Sequence, residues 1–302
     1  MSPAAWSMPL PPYLWQVVLH SSVAGFVFYV WARRVGLPSG RTKRRLLGIL
    51  LVLPMVTAAV PGRGSIEFAE RVAWLNSARM LAVPLPGDFR LHHVVLLVGV
   101  MTVMVTFWQE VVPALRRPAT TDDPPPAALV AQVRARAGWE HCAVVLSPLD
   151  SILVATVVRP RRPRLIVSKG ALASLDAEEL DTVVAHEHAH WASGGWLVSH
   201  ALFVVRLLQC YNPVALWVFR EYCVEVEIWC DAVAVSGRDP RGLARVLVRI
   251  YQATDRRDLA ARGSLRKRVD VLLEHGPQDA VLPPVTIAAA AAVLLVVLPW
   301  IV

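Results

Sequence analysis

Cysteine is scarce in this chain. The four present, Cys142, Cys210, Cys223 and Cys230, include no CxxC pair, so a cysteine-ligated zinc site is not expected. Charge is thin as well: Asp, Glu, Lys and Arg make up 18% of the 302 residues, and the 23 acids fall short of the 31 bases, leaving a net charge of +8. The basic clusters lack interleaved aromatics and flank apolar runs, which argues against a nucleic-acid surface. No basic leader precedes the first apolar run and no small-residue cleavage site follows it, so that run reads as retained.

Apolar residues are what the chain has in excess, 55% with a mean hydropathy of +0.47, more than an ordinary soluble domain carries. Runs at 13–32, 46–61, 92–113 and 284–302 each cover or nearly cover a hydrocarbon core of about 30 Å at 1.5 Å per residue. Arg33, Arg34, Arg41, Lys43, Arg44 and Arg45 crowd the loop after the first run, which the positive-inside rule makes cytoplasmic. Residues 62–91 are nearly balanced in charge and read as external, and the third run exits inward at Arg116-Arg117. The N-terminus is then outside, residues 114–283 are cytoplasmic, and the last run returns the chain outside. The positive net charge follows from this topology, and in a reducing compartment the four cysteines are not expected to form disulfides. The chain divides into a membrane region at 1–113, a Pro-rich linker at 114–126, a cytoplasmic domain at 127–283 and a final span at 284–302.

Inside the cytoplasmic part stands His186-Glu187-His188-Ala189-His190, an HExxH motif. Nine histidines and eleven glutamates in this length give about 0.01 such matches by chance. Asp176 and Glu179 form a capping box, Leu180, Val183 and Val184 an apolar helical face, and Gly194-Gly195 a stop. On that helix His186 and His190 share a face and can grip one metal ion. Glu187 can then reach a metal-bound water as general base. His188 points to the opposite face and is expected to be structural.

A catalytic zinc usually takes three protein ligands. The stretch from Glu221 to Asp231 offers Glu221, Glu225 and Glu227. Glu227 and Asp231 share a helical face, so Glu227 can bind zinc while Asp231 orients a ligand histidine. The blander reading makes all three glutamates a solvated acidic face. Residues 196–219 are apolar enough for another span, but crossing there would put His186 and Glu227 on opposite sides. Asn212-Pro213 breaks the stretch, and a helical hairpin returning to the same side is expected. Upstream, a helix at 127–137 and strands near 142–147, 151–158 and 164–168 are predicted. Leu165-Ile166-Val167 is a candidate edge strand for pairing with substrate, or simply core.

The order HExxH, Tyr211-Asn212-Pro213, Arg220-Glu221 and Glu227-x-x-Cys230-Asp231 resembles the BlaR/MecR-type membrane metallopeptidases. It is similar more distantly to the HtpX and CAAX-prenyl-protease groups. The match is close over about residues 163–235, and Arg268-Val269-Asp270-Val271-Leu272 is similar to a downstream element of both groups. The resulting fold class is mainly α and multi-pass. Four transmembrane helices carry a cytoplasmic α+β zincin-like (gluzincin) peptidase domain between the third and fourth. The resemblance implies a zinc endopeptidase in signal transduction, with one catalytic Zn2+ on His186, His190 and Glu227 and Glu187 as base. Its implied partners are membrane lipids and a protein substrate, a cytoplasmic transcriptional repressor. A quality-control protease of the HtpX type and a non-catalytic membrane sensor or scaffold are the alternatives. Tyr211, Tyr222, His200 and Arg268 are candidates for stabilising an oxyanion. Because the sequence stops at Val302, a penicillin-binding sensor after the last span is not expected.

Overall fold

The computed structural model describes residues 12–59, 84–86, 90–112, 120–157, 163–192, 195–253 and 259–274. Among the described residues three helices come first: α1 (Pro12–Val35), α2 (Arg41–Ala59) and α3 (Leu91–Thr106), the last running into a π-helical turn at Phe107–Val111. They fall on the first three apolar runs. No single helix among the described residues is long and apolar enough to cross a membrane alone. One bent pair, Ala177–Ala192 with Leu197–Leu208, passes that test together. The fourth run, 284–302, and most of the 62–91 loop lie outside the described residues.

A short helix α4 (Ala127–Arg134) leads into a three-stranded sheet, β1 (Ala143–Ser147), β2 (Val154–Val157) and β3 (Arg164–Ser168). The helix is shorter than its pattern predicts. The chain turns out of it through Gly138 at φ 81°, where a Cβ would come 2.3 Å from the Trp191 ring, so only glycine lets the turn pack there. The strand order is β1-β3-β2, with β1 parallel and β2 antiparallel to β3. This corrects the edge-strand expectation: Leu165-Ile166-Val167 lies in the middle of the sheet and β2 is an edge. All three of these β3 residues are buried, as a strand covered on both faces requires.

Beyond the sheet come α5 (Lys169–Ser174), α6 (Ala177–Ala192), α7 (Gly195–Leu208), α8 (Pro213–Ala234), α9 (Pro240–Ala253) and α10 (Leu259–Glu274). One apolar core joins the sheet to α6 through Trp139, Leu165, Val167 and Val184. A second joins α1 and α2 to α7 and α8 through Ala24, Leu47, Leu51, Leu202, Phe219 and Tyr222.

Several buried polar groups of the second region bond across elements. The fully buried Arg206 of α7 bonds Thr106 of α3 and the Gln209 carbonyl. Gln209 Nε2 donates to Leu51 O (2.9 Å), and Asn212 Nδ2 donates to Ser21 Oγ (2.8 Å). Each buried donor would cost about 1–3 kcal/mol if left without a partner, so these bonds fix how α7 lies against α1–α3.

Candidate metal centre

Two helices position the candidate ligands. The start of α6 is set by the predicted capping box: Glu179 N–H donates to Asp176 Oδ1 (2.8 Å) and Asp176 N–H to Glu179 Oε2 (3.2 Å). Asn212 Oδ1 accepts from the N–H groups of Val214 and Ala215, and Pro213 opens α8 where no N–H is needed. The chain therefore turns at 209–212, and α8 comes back along α6.

That return brings Glu227 to His186 and His190. Glu227 Oε2 is 3.4 Å from His186 Nε2, Glu227 Oε1 is 3.3 Å from His190 Nε2, and the two Nε2 atoms are 3.2 Å apart. Donors about 2.0–2.1 Å from a tetrahedral ion stand about 3.3–3.4 Å from one another. Two imidazole nitrogens and a carboxylate at that separation fit a divalent cation of zinc's size.

Behind the donors lies a second set of contacts. The buried Asp231 has Oδ1 2.8 Å from His186 Nδ1, a close contact without a straight N–H···O line. A proton on Nδ1 leaves the Nε2 lone pair for a metal. Arg268 of α10 grips Asp231 with two bonds of 2.7 Å and also lies 3.1 Å from Glu227 Oε2. Burial opposes charge on every member, yet the contacts win. Glu227 is held well below the usual carboxylate range by His186, His190 and Arg268, and Asp231 is lowered by Arg268 and His186. For His186, desolvation is outweighed by Asp231 and Glu227, and its pKa rises to about 10 in the metal-free protein.

Glu187 points to the cleft side. Its Oε2 accepts from the Thr156 backbone N–H of β2 at 2.8 Å. Sequence reasoning missed this bond, because a main-chain donor leaves no residue-type signal. His188 lies away from the donors, with Nε2 3.0 Å from Ala137 O and its ring edge-on to Trp139.

The other acids divide. Glu225 is completely buried rather than solvated. It takes Lys267 Nζ (2.9 Å), Lys43 Nζ (3.2 Å), Gly40 N–H (3.0 Å) and Ser39 Oγ (3.1 Å). Glu221 pairs with Lys267 at 3.0 Å. The blander reading of this stretch as a solvated acidic face therefore fails, since Glu225 anchors the loop between α1 and α2.

A cavity of about 1080 Å³ opens on the donors, lined also by Ala155, Thr156, His200 and Tyr222. Among the oxyanion candidates, Tyr222 and His200 line it. Arg268 is committed behind the ligands, and Tyr211 lines a different cavity with Leu14 and Met104. Cys142, Cys210, Cys223 and Cys230 form no disulfide, and burial pushes the Cys230 thiol up.

Comparison with known proteins adds two findings. A family model described as BlaR1 peptidase M56 matches residues 5–258. The regulatory protein BlaR1 of Bacillus licheniformis is 26% identical over 101 residues, which is 33% of this chain and 17% of that relative's length.

Proposed function

Since the chain belongs to the BlaR1 peptidase M56 family, we propose that it is a membrane-anchored, zinc-dependent endopeptidase of a signalling pathway. In this reading four spans hold a cytoplasmic zincin-like domain, and proteolysis leads to loss of a cytoplasmic transcriptional repressor. The observation that carries the catalytic part is the convergence of His186, His190 and Glu227 at tetrahedral spacing, with Glu187 on the same helix facing the cleft. Membrane anchoring is supported by the aliphatic surface of α3, where Leu97, Met101 and Met104 are each more than half exposed. A cytoplasmic site is supported by the basic residues at the start of α2. Lys43 pairs with Glu225, and the Arg44 guanidinium lies over Trp229 at 5.3 Å, both on the helix that carries Glu227.

Zinc bound by these residues supplies a Lewis acid for the scissile carbonyl and for the attacking water. The rest falls to the chain itself. The Glu187 carboxylate takes a proton from the water as its oxygen bonds to the carbonyl carbon. It gives that proton to the departing amine nitrogen as the C–N bond breaks. The Thr156 N–H fixes the Glu187 carboxylate, so the proton is handled at a defined place. That N–H points away from β3. With the two-residue alternation of an antiparallel pair, the main-chain groups of Val154 and the Thr156 carbonyl face the open edge, while the Thr156 N–H stays with Glu187. A substrate backbone can pair there as an added strand.

The test is Glu187→Gln. The variant should keep its metal and lose cleavage by at least about 10²-fold, the usual worth of a general base. Cleavage at the wild-type rate sinks the mechanism.

A further inference from the structure

The cavity at the metal centre is aliphatic along one side. One wall is formed by α2 and α7, which present Gly48, Ile49, Val52 and Val56 opposite Val198 and Leu202. Ile49, Val56 and Val198 are 52%, 54% and 56% exposed, so these aliphatic chains stand in the cleft without being packed away. Arg44 and Arg45 line the same cavity at the start of α2.

Inter-helix contacts fix which end is which. Lys43 meets Glu225 and Arg44 lies over Trp229, so the basic end of α2 is level with Glu227. Further along, Leu51 O accepts from Gln209, just past the far end of α7. The aliphatic stretch therefore runs from the metal centre along α7, within the second predicted span, while the donors sit at the basic collar. From Arg44 to Val56 α2 rises about 18 Å, the length of about five or six extended residues.

Resting on the peptidase and membrane readings above, we propose that the site acts on membrane-inserted polypeptides. An apolar segment of the substrate enters along α2 and α7, and its cytoplasmic end lies across Glu187 and the metal ligands. Arg44 and Arg45 favour acidic residues just beyond the scissile bond. A polar peptide would lose its hydration against Ile49, Val52 and Val198 and gain nothing in return, whereas an aliphatic one buries its surface there.

The test uses Glu187→Gln protein in lipid nanodiscs, loaded with zinc. One fluorescent probe peptide carries about six Leu and Val residues, roughly the cleft's reach, before an Asp-Glu pair. The other has Ser and Asn in place of the aliphatics. A photoreactive leucine in the first probe should crosslink to residues 49–56 and 198–202, with empty nanodiscs correcting for lipid partition. The aliphatic probe should bind at least about tenfold tighter, the worth of one or two buried side chains. Val52→Trp, which fills the groove, should lose that preference and keep its metal. Equal binding of both probes, crosslinks confined elsewhere, or an unaffected Val52→Trp overturns the proposal and leaves the peptidase reading standing. Protein that holds no zinc overturns the peptidase reading and this one with it.

Discussion

Metal binding at this site should release a proton, and the structure says from where. In the metal-free protein His186 lies between Asp231 and Glu227, and its pKa stands at about 10 against an ordinary 6.5. At pH 7 its Nε2 therefore carries a proton where a metal would bind. An ion must displace that proton, so apparent affinity rises with pH, about tenfold per unit. From pH 6.5 to 8.5 that is about a hundredfold, or about 2.7 kcal/mol. The dependence should level off only as pH approaches about 10, where His186 is already neutral. The same shift stabilises the metal-free fold fully below 6.5, and the contribution fades as pH rises through about 10. Calorimetric zinc titration in two buffers of different ionisation enthalpy would count the released protons directly. Asp231→Asn removes the first of the two carboxylates that hold the imidazolium, so its pH dependence should flatten from a lower pH. Flat wild-type affinity between pH 7 and 9 would refute the reasoning, because it would mean His186 is neutral before the metal arrives.

Other outcomes follow from the same contacts. Thr156→Pro should fold, because that N–H faces the open edge and not β3. It frees the Glu187 carboxylate and should lower kcat about 10–100-fold, the worth of one bond to a charged group; unchanged kcat counts against the contact. Glu225→Ala strands Lys43 and a buried Gly40 N–H, and should cost about 3–5 kcal/mol in chemical denaturation. A loss below about 1 kcal/mol would show that the loop after α1 is not anchored there. Arg268→Met leaves Asp231 buried with only His186 beside it, and should weaken zinc binding about 10–100-fold without exposing the site to protease; wild-type affinity would deny Arg268 its positioning role.

Much of the site was legible because helical spacing is local. His186 and His190, then Glu227 and Asp231, each lie four residues apart, and that alone sets which side chains share a face. Asn212-Pro213 marked the turn that lets the two helices meet, and the observed cap bonds follow from those residue types. The sheet order was not legible. Nothing in Leu165-Ile166-Val167 says whether a strand lies on one side of it or both, because β1 and β2 are brought to it by connections of different lengths. Glu225 was hidden for a similar reason. Beside Glu221 and Glu227 it reads as one more surface acid, while its partners Lys43 and Lys267 lie far away in sequence. The Thr156 contact with Glu187 uses a main-chain N–H, which any non-proline residue supplies.

The central claim is that His186, His190 and Glu227 hold one catalytic metal ion. Elemental analysis of purified wild-type protein and Glu227→Ala, side by side, tests it most directly. The account predicts one zinc per wild-type chain and essentially none in the variant, with helical content unchanged by circular dichroism. Equal metal in both proteins, or none in the wild type after zinc loading, would contradict it.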